Sequence, residues 1–340
     1  MASTLVEVLV TLQLSENLVD RIKQVSPRVR ITHLPVHRAE DIPGDIWKRT
    51  EILFTQSILP DPEKAPNLRW IQFNMAGIDN QLAAPIFQRS NVTFTTLSGA
   101  AAPQIAEYIL TMMLALGHHL NELHALQSKA EWPRERPDRF NPRELRSSIV
   151  GIIGYGSIGR ELARLLQPFQ VTILATKRDV MHPRDTGYTP DGLGDPEGNL
   201  FHRLYPIEAM RSMLRECDYV IVTVPLTPKT RGLLKEEEFR AMKPGAFLID
   251  VSRGEVVDHK ALLQALQENR LAGAALDVFP EEPLPANSPL WKSSNVIISP
   301  HIAGSSTLYK DRGIALFNEN LRHYLNGLPL LNRFEAEKGY

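Results

Sequence analysis

The run Gly154-Tyr155-Gly156-Ser157-Ile158-Gly159 has the spacing G-x-G-x-x-G. Glycine pairs are common in loops, so the flanks decide what the run means. An apolar strand, residues 148–153, leads into it, and a helix carrying Ile158, Leu162, Leu165 and Leu166 leaves it. In that context Gly154 permits a tight turn. Gly156 lets the backbone approach a pyrophosphate with no Cβ in the way, and Gly159 allows the helix to pack close to the strand. The free N–H groups of the first helical turn, at Ser157 and Ile158, then face the phosphates with the positive end of the helix dipole.

The next strand, residues 171–176, ends in Lys177-Arg178. A residue at that strand end reads the adenosine ribose of a dinucleotide, and an Asp or Glu there accepts the 2′-hydroxyl and favours NAD. Two cations accept no hydroxyl proton but pair with a 2′-phosphate. Lys177 and Arg178 therefore point to NADP(H), while Asp179 keeps NAD(H) open. Further segments follow later strands, at residues 248–254, 275–284 and 298–304. Ligands of open α/β sheets bind at the carboxyl ends of strands, so these segments can meet in one cleft. Singly each is bland: an Arg before Gly is commonly a surface turn, a Glu-Glu-Pro run a solvated loop, a His after Pro a structural residue.

In order, behind the glycine run, the segments resemble the D-isomer-specific 2-hydroxyacid dehydrogenase family, in particular its glyoxylate/hydroxypyruvate reductases. The resemblance covers nearly the whole chain and is strongest over residues 149–305. It includes Cys217-Asp218-Tyr219-Val220, Val224-Pro225-Leu226-Thr227-Pro228, Thr230-Arg231, Met75-Ala76-Gly77-Ile78-Asp79 and Ala106-Glu107. It implies that Arg253, Glu282 and His301 are the catalytic residues, with Glu281 an alternative to Glu282. An Arg can bind the carboxylate of a 2-keto acid and polarise its ketone with a permanent charge. A His can give a proton to the oxygen as hydride reaches C2, and take it back in the oxidative direction. A carboxylate partner orients the ring and favours its charged form, which favours reduction near neutrality.

The resemblance further implies that Asp277 meets the nicotinamide carboxamide and that Val224, Pro225, Val251 and Ser252 line the cofactor cleft. The backbone at Met75, Ala76 and Gly77 would hold the substrate carboxylate from the opposite lobe, alongside Arg253 and His301, with lobe closure excluding water. A homodimer through the cofactor domain is implied, with residues 130–146 as its arm. Two departures stand out: Lys177 replaces the usual ribose-reading acid, and residues 179–206 form an insertion without counterpart in shorter members. That insertion is either a functional loop or a tolerated surface one. The same scaffold acting on formate or phosphite, or as a nucleotide-sensing corepressor-like protein, remains an alternative.

The elements that must position these residues alternate. Strands are expected at 6–12, 29–34, 52–55, 68–73 and 92–96, with helix-like stretches such as Glu16–Lys23 between most of them. A long helix is expected over 104–128, burying Ile105, Ile109, Met112, Met113, Leu116 and Leu120 at spacings of three and four. Residues 130–146 read as a polar connecting arm broken by Pro133, Pro137 and Pro142. A second set of strands is expected at 148–153, 171–176, 219–224, 246–251, 274–278 and 296–299. A last helix over 305–326 should return to the first lobe. This rhythm predicts an α/β chain with two doubly wound parallel-sheet domains: a Rossmann dinucleotide-binding domain over 104–302, and a flavodoxin-like catalytic domain built from 1–103 plus 303–340.

The bulk composition is compatible with that reading. The chain has 340 residues, enough for two domains, with 43% hydrophobic and 23% charged residues. With 38 basic and 39 acidic residues the net charge is −1, which argues against nucleic acid or an anionic membrane as main partner. The lone Cys217 excludes an intrachain disulfide and a zinc site built on several thiolates; no metal is expected, and a reducing compartment, the cytoplasm, fits. The start, Met1-Ala2-Ser3-Thr4-Leu5, has no secretory pattern, no run spans a bilayer, and the end, Glu337-Lys338-Gly339-Tyr340, is no peroxisomal address.

Overall fold

The computed structural model describes residues 5–335. Met1–Thr4 and residues 336–340, read above for targeting signals, lie outside the described residues. The chain divides into two compact units, Met1–Ala101 with Ser306–Tyr340, and Ala102–Ser305.

The first unit holds strands β1 (Val6–Val10), β2 (Val29–His33), β3 (Ile52–Thr55), β4 (Trp70–Phe73) and β5 (Thr93–Thr95), with helices α1 (Glu16–Lys23) and α2 (Gly44–Arg49). Its sheet runs β2-β1-β3-β4-β5 and every pairing is parallel, the flavodoxin-like order. Successive residues serve opposite faces. Val8, Val10, Phe54 and Trp70 bury on one side, Leu9, Leu53, Ile71 and Phe73 on the other. The last helix of the chain, Tyr309–Leu325, covers the first of these faces, where Phe317 stacks on Phe54 with ring centroids 4.3 Å apart.

The second unit opens with helices α3 (Ala102–Gly117), α4 (Leu120–Ser128) and α5 (Arg136–Arg139). Then come β6 (Ile149–Ile153), α6 (Ser157–Leu166), β7 (Thr172–Thr176), β8 (Arg203–Tyr205), α7 (Met210–Leu214) and β9 (Tyr219–Val222). The unit closes with α8 (Glu236–Ala241), β10 (Ala246–Asp250), α9 (His259–Gln267), β11 (Leu271–Leu276) and β12 (Val296–Ile298); the last helix of the chain is α10. The sheet order is β12-β11-β10-β9-β6-β7-β8, all parallel. The chain starts at β6, builds outward to β8, then returns to β9 and builds the other way. The strand order therefore reverses between β6 and β9, the switch point at which this doubly wound architecture opens a ligand crevice. Both faces are covered, so β9 is buried throughout: Val220 and Val222 pack on one side, Tyr219 and Ile221 on the other. Cys217 lies under this sheet, where burial pushes its thiol up to about 12.

Several expectations need correction. The helix expected over 104–128 is two, α3 and α4. Gly117 packs so closely that a Cβ there would stand 2.6 Å from the Tyr219 hydroxyl and 2.8 Å from the Arg143 carbonyl oxygen. The Gly117 carbonyl accepts the Arg143 amide at 2.9 Å, and His119 turns left-handed at φ 55°. Beyond that break the stripe loses its phase, and Leu120 is exposed. A short edge strand, β8, lies within the stretch read as loop, because His202 and Tyr205 add to β7 through main-chain bonds with Ile173 and Lys177. The single-turn α5 forms inside the proline-broken arm, its Pro falling in the first turn where the missing N–H costs nothing. Most other strands end a residue or two inside their expected limits.

Candidate active site

The glycine run sits at the carboxyl end of β6. Gly154 has φ 102°, a conformation that suits glycine, and a Cβ there would press on Val224 at 2.8 Å. The Thr223 hydroxyl donates to the Gly154 carbonyl at 2.8 Å, and the Gly154 amide donates to the Thr176 hydroxyl at 3.1 Å. These contacts gather the ends of β6, β7 and β9. Gly159 lies against the Gly154 carbonyl, 2.8 Å from where a Cβ would be, so α6 packs tightly on its strand. Gly156 is the opposite case: a Cβ there would meet nothing within 4 Å. The backbone at Gly156, with Ser157 and Ile158 beginning α6, thus borders open space at a helix N-terminus, which fits the pyrophosphate of a dinucleotide. Val224 and Val251 are buried and Pro225 half-buried at neighbouring strand ends, β9 and β10.

The ends of β10, β11 and β12 carry Arg253, Glu282 and His301. Their strands are adjacent, with Asp250 in register with Leu276 and Leu276 with Ile298. The turn at Gly254 presses on the turn at Phe279: a Cβ on Gly254 would lie 1.9 Å from the Phe279 carbonyl carbon. That close approach brings the Arg253 loop to the loop that carries Glu282. Glu282 Oε1 accepts the Phe279 amide at 2.9 Å, and Oε2 lies 2.8 Å from His301 Nδ1. Burial pulls the Glu282 pKa upward, but the His301 hydrogen bond, the Phe279 amide and the His301 and Arg253 charges outweigh it, leaving it below the usual carboxylate value. An ionised carboxylate only accepts, so Nδ1 carries the proton and Nε2 is the nitrogen left for proton exchange. Both side chains remain accessible, at 47% and 37% of their surface. The carboxylate that meets the imidazole is that of Glu282; Glu281 is exposed. Arg253 is half-buried and donates from Nη1 to the Ser252 carbonyl at 2.8 Å.

Sequence reasoning missed what holds these loops. Asp277, buried at the end of β11, spends both oxygens within the unit. Oδ1 accepts the Ser299 hydroxyl at 2.6 Å and the Ile302 amide at 2.8 Å, and Oδ2 accepts the Ala303 amide at 2.9 Å. Tyr108 on α3 reaches the same Ser299 hydroxyl at 2.6 Å, its own phenol pushed up to about 12, chiefly by burial. His301 itself sits at φ 53° between these anchors. On β10, the fully buried Asp250 accepts both the amide and the hydroxyl of Ser252, at 2.9 and 2.5 Å. Burial raises its pKa to about 7 against those two hydrogen bonds. Nothing local in the sequence signals Tyr108 or Asp250.

At the end of β7, Lys177 is half-buried and Arg178 exposed. Burial, then the Arg160 charge, lowers the Lys177 pKa against the pull of Asp185 and Asp179. In the first unit, Met75, Ala76 and Gly77 form the turn after β4; Ala76 is exposed, and the Met75 carbonyl accepts the Leu97 amide at 2.9 Å. Among the described residues no group of His, Cys, Asp or Glu is placed to hold a metal ion, and no helix is long and apolar enough to cross a membrane.

Two parallel α/β units, one of them with a glycine cradle at its switch point and an imidazole–carboxylate pair beside an arginine, define a dinucleotide-linked enzyme. Residues 110–303 match the family model described as D-isomer specific 2-hydroxyacid dehydrogenase, NAD binding domain. A glyoxylate reductase of Thermofilum pendens is 33% identical over 266 residues, covering 78% of this chain and 74% of the relative. An (S)-sulfolactate dehydrogenase of Chromohalobacter salexigens is 32% identical over 262 residues, covering 76% and 78%. A solved D-isomer specific 2-hydroxyacid dehydrogenase from Xanthobacter autotrophicus Py2, in complex with NADPH and MES, superposes with a TM-score of 0.79 at 26% identity over 100% of both chains. The chain belongs to the D-isomer specific 2-hydroxyacid dehydrogenase family, and it is a nicotinamide-dependent oxidoreductase.

Proposed function

We propose that this chain reduces the C2 ketone of a small 2-keto acid such as glyoxylate or hydroxypyruvate, with NADPH as preferred donor. The observation that carries the reading is His301 Nδ1 held 2.8 Å from Glu282 Oε2, beside the Arg253 turn. When bound, the reduced dinucleotide supplies the hydride that reaches the ketone carbon. Arg253 binds the substrate carboxylate and polarises the ketone oxygen with its guanidinium charge. As negative charge develops on that oxygen, His301 Nε2 delivers its proton and the ketone becomes a hydroxyl. Glu282 holds Nδ1–H, so it fixes the ring and balances the imidazolium; in oxidation Nε2 takes the proton back. In this reading Asp277 clamps the His301 loop through Ser299, Ile302 and Ala303, and its Oδ2, which accepts only the Ala303 amide, meets the nicotinamide carboxamide.

NADPH is supported by Lys177 and Arg178 at the ribose-reading strand end and by the Xanthobacter relative, whose structure contains that cofactor. The glyoxylate reductase relative supports the small keto acid, and the sulfolactate dehydrogenase adds a sulfonated acid to the substrates worth testing. A homodimer in the cytoplasm completes the reading. The test is a panel of 2-keto acids with NADPH and NADH at equal low concentration, following loss of reduced-nicotinamide absorbance, with formate and phosphite plus oxidised cofactor as further arms. Turnover of glyoxylate or hydroxypyruvate, faster with NADPH, is expected. Tight cofactor binding without turnover of any acid would overturn the enzymatic reading, and faster turnover with NADH its cofactor half.

A further inference from the structure

Residues 179–206, rich in proline and glycine, dock on the fingerprint itself. Arg160, in the first turns of α6, is 2% exposed. Its Nη1 donates to the Asp195 carbonyl at 2.5 Å, its Nη2 donates to the Pro183 carbonyl, and its guanidinium lies 5.0 Å over the Tyr155 ring. Tyr155, a residue of the glycine run, donates its hydroxyl to Asp195 Oδ2 at 2.6 Å. The buried Asp195 carboxylate also receives the amides of Gly198, Asn199 and Leu200, at 3.0, 3.1 and 3.0 Å. The Tyr155 phenol is paired with the Asp195 carboxylate, while the buried Arg160 guanidinium bonds two carbonyls of the segment and lies 3.5 Å from Asp185 Oδ2. Parting these groups would leave buried polar atoms and a buried charge unpaired, so the segment is held in place.

That docking has consequences at the end of β7. The Lys177 ammonium donates to the His182 carbonyl and, at 3.4 Å, to the Arg184 carbonyl, both in the docked segment. Two of its three N–H donors are thereby oriented, and its charge stays at the strand end. The Asp179 carboxylate is drawn the other way. Oδ1 accepts the amides of Met181 and His182 at 3.0 and 3.3 Å, and Oδ2 lies 2.7 Å from His182 Nδ1. The acid that would accept ribose hydroxyls is thus occupied by the same segment that steadies the cation. Where this architecture reads the ribose, the segment orients the Lys177 ammonium and engages the Asp179 carboxylate, while its Asp185 lies toward Arg160, 3.5 Å from Nε.

We infer that residues 179–206 are the cofactor-specificity element of this enzyme: docked through Arg160, Tyr155 and Asp195, they hold Lys177 for a 2′-phosphate and keep Asp179 from a 2′-hydroxyl. The inference rests on the NADPH reading above and adds a mechanism to it. Asp195 and Tyr155 are positioning residues, acting through Lys177.

The test is calorimetric binding of 2′,5′-ADP and 5′-AMP to the full chain. The parent should prefer 2′,5′-ADP. Lys177→Gln and Asp195→Ala should each weaken 2′,5′-ADP about tenfold, the worth of one charge-assisted hydrogen bond, and leave 5′-AMP within about twofold. The double variant should lose little more than either single one, because both act on one contact. If Asp195→Ala does not fold, Tyr155→Phe removes only the hydroxyl that reaches Asp195 and carries the same comparison. A parent without preference for the 2′-phosphate overturns the NADPH reading and this inference together. A parent preference that the Asp195 or Tyr155 variants leave intact, or that falls equally for both ligands, overturns the inference alone.

Discussion

His301 sits in the left-handed region at φ 53°, uncommon for a side chain with a Cβ, and its neighbours show why it stays there. Its amide closes onto the Ser299 carbonyl at 3.1 Å, while Asp277 takes Ser299, Ile302 and Ala303 on either side. The ring is aimed by its loop and fixed by Glu282. His301→Ala should lower kcat for reduction by roughly 100- to 10,000-fold, the usual share of a general acid, with cofactor Kd unchanged. Glu282→Gln removes the charge; its single amide oxygen can accept Nδ1–H only by turning the NH2 group toward the Phe279 amide, so one of the two anchors is lost with it. Because the Glu282 pKa is lowered in the fold, the ionised Glu282 carboxylate contributes stability above the ordinary carboxylate pKa, and this is lost as pH falls through the lower folded value. At neutral pH we expect Glu282→Gln to cost about tenfold or more in kcat, since the imidazolium loses its counter-charge. A kcat within twofold of the parent would remove the carboxylate charge from the mechanism.

Among the elements, the loops after β10 and β11 are joined by the absence of one carbon atom. A Cβ on Gly254 would fall 1.9 Å from the Phe279 carbonyl carbon and 2.1 Å from its oxygen, both main-chain atoms that no rotamer change can move. Gly254→Ala must push the Arg253 turn away from the segment that carries Glu282. We expect a loss of about 1–3 kcal/mol in stability from overpacking, and roughly 100-fold in kcat/KM because a catalytic group shifts by an ångström or so. Denaturant unfolding and steady-state kinetics on the same variant check both. Parent-like kinetics in a destabilised protein would mean that the close approach serves packing only. Sequence inspection found the Arg-Gly pair, but only the register of β10 beside β11 shows that the glycine is a contact. The break between α3 and α4 has the same origin: Gly117 meets Tyr219 and Arg143, residues distant in the chain, and local periodicity carried no sign of them.

For the molecule as a whole, the titration of one buried group reaches global stability. Asp250 is fully buried, and burial raises its pKa from 3.8 to about 7, with Asp277 adding to the rise and Ser252 and Arg253 opposing it. Between those values the folded chain keeps a proton that the unfolded chain has released. This contribution is therefore complete below the unfolded pKa and is lost as pH rises through about 7, by up to roughly 1.4 kcal/mol per pH unit. Asp250→Asn should remove that falling component from a plot of unfolding free energy against pH. Parallel curves for parent and variant would mean that Asp250 is ionised throughout. The sequence by itself determined the alternation of strand and helix, the glycine spacing at the end of β6, and the chain order of Arg253, Glu282 and His301 behind it. Those patterns are written among near neighbours, in period-two strands and in turn positions such as Gly154 and Gly159 where a Cβ would collide. The tertiary structure alone decided that Glu282 rather than Glu281 meets His301, that Asp277 spends its oxygens on the His301 loop, that Leu120 is exposed, and that Arg160 and Glu161 on α6 are buried. Each of these depends on which distant segment arrives at a given surface, and a buried guanidinium such as Arg160 reads locally as a solvated helix face until the segment that covers it is in place.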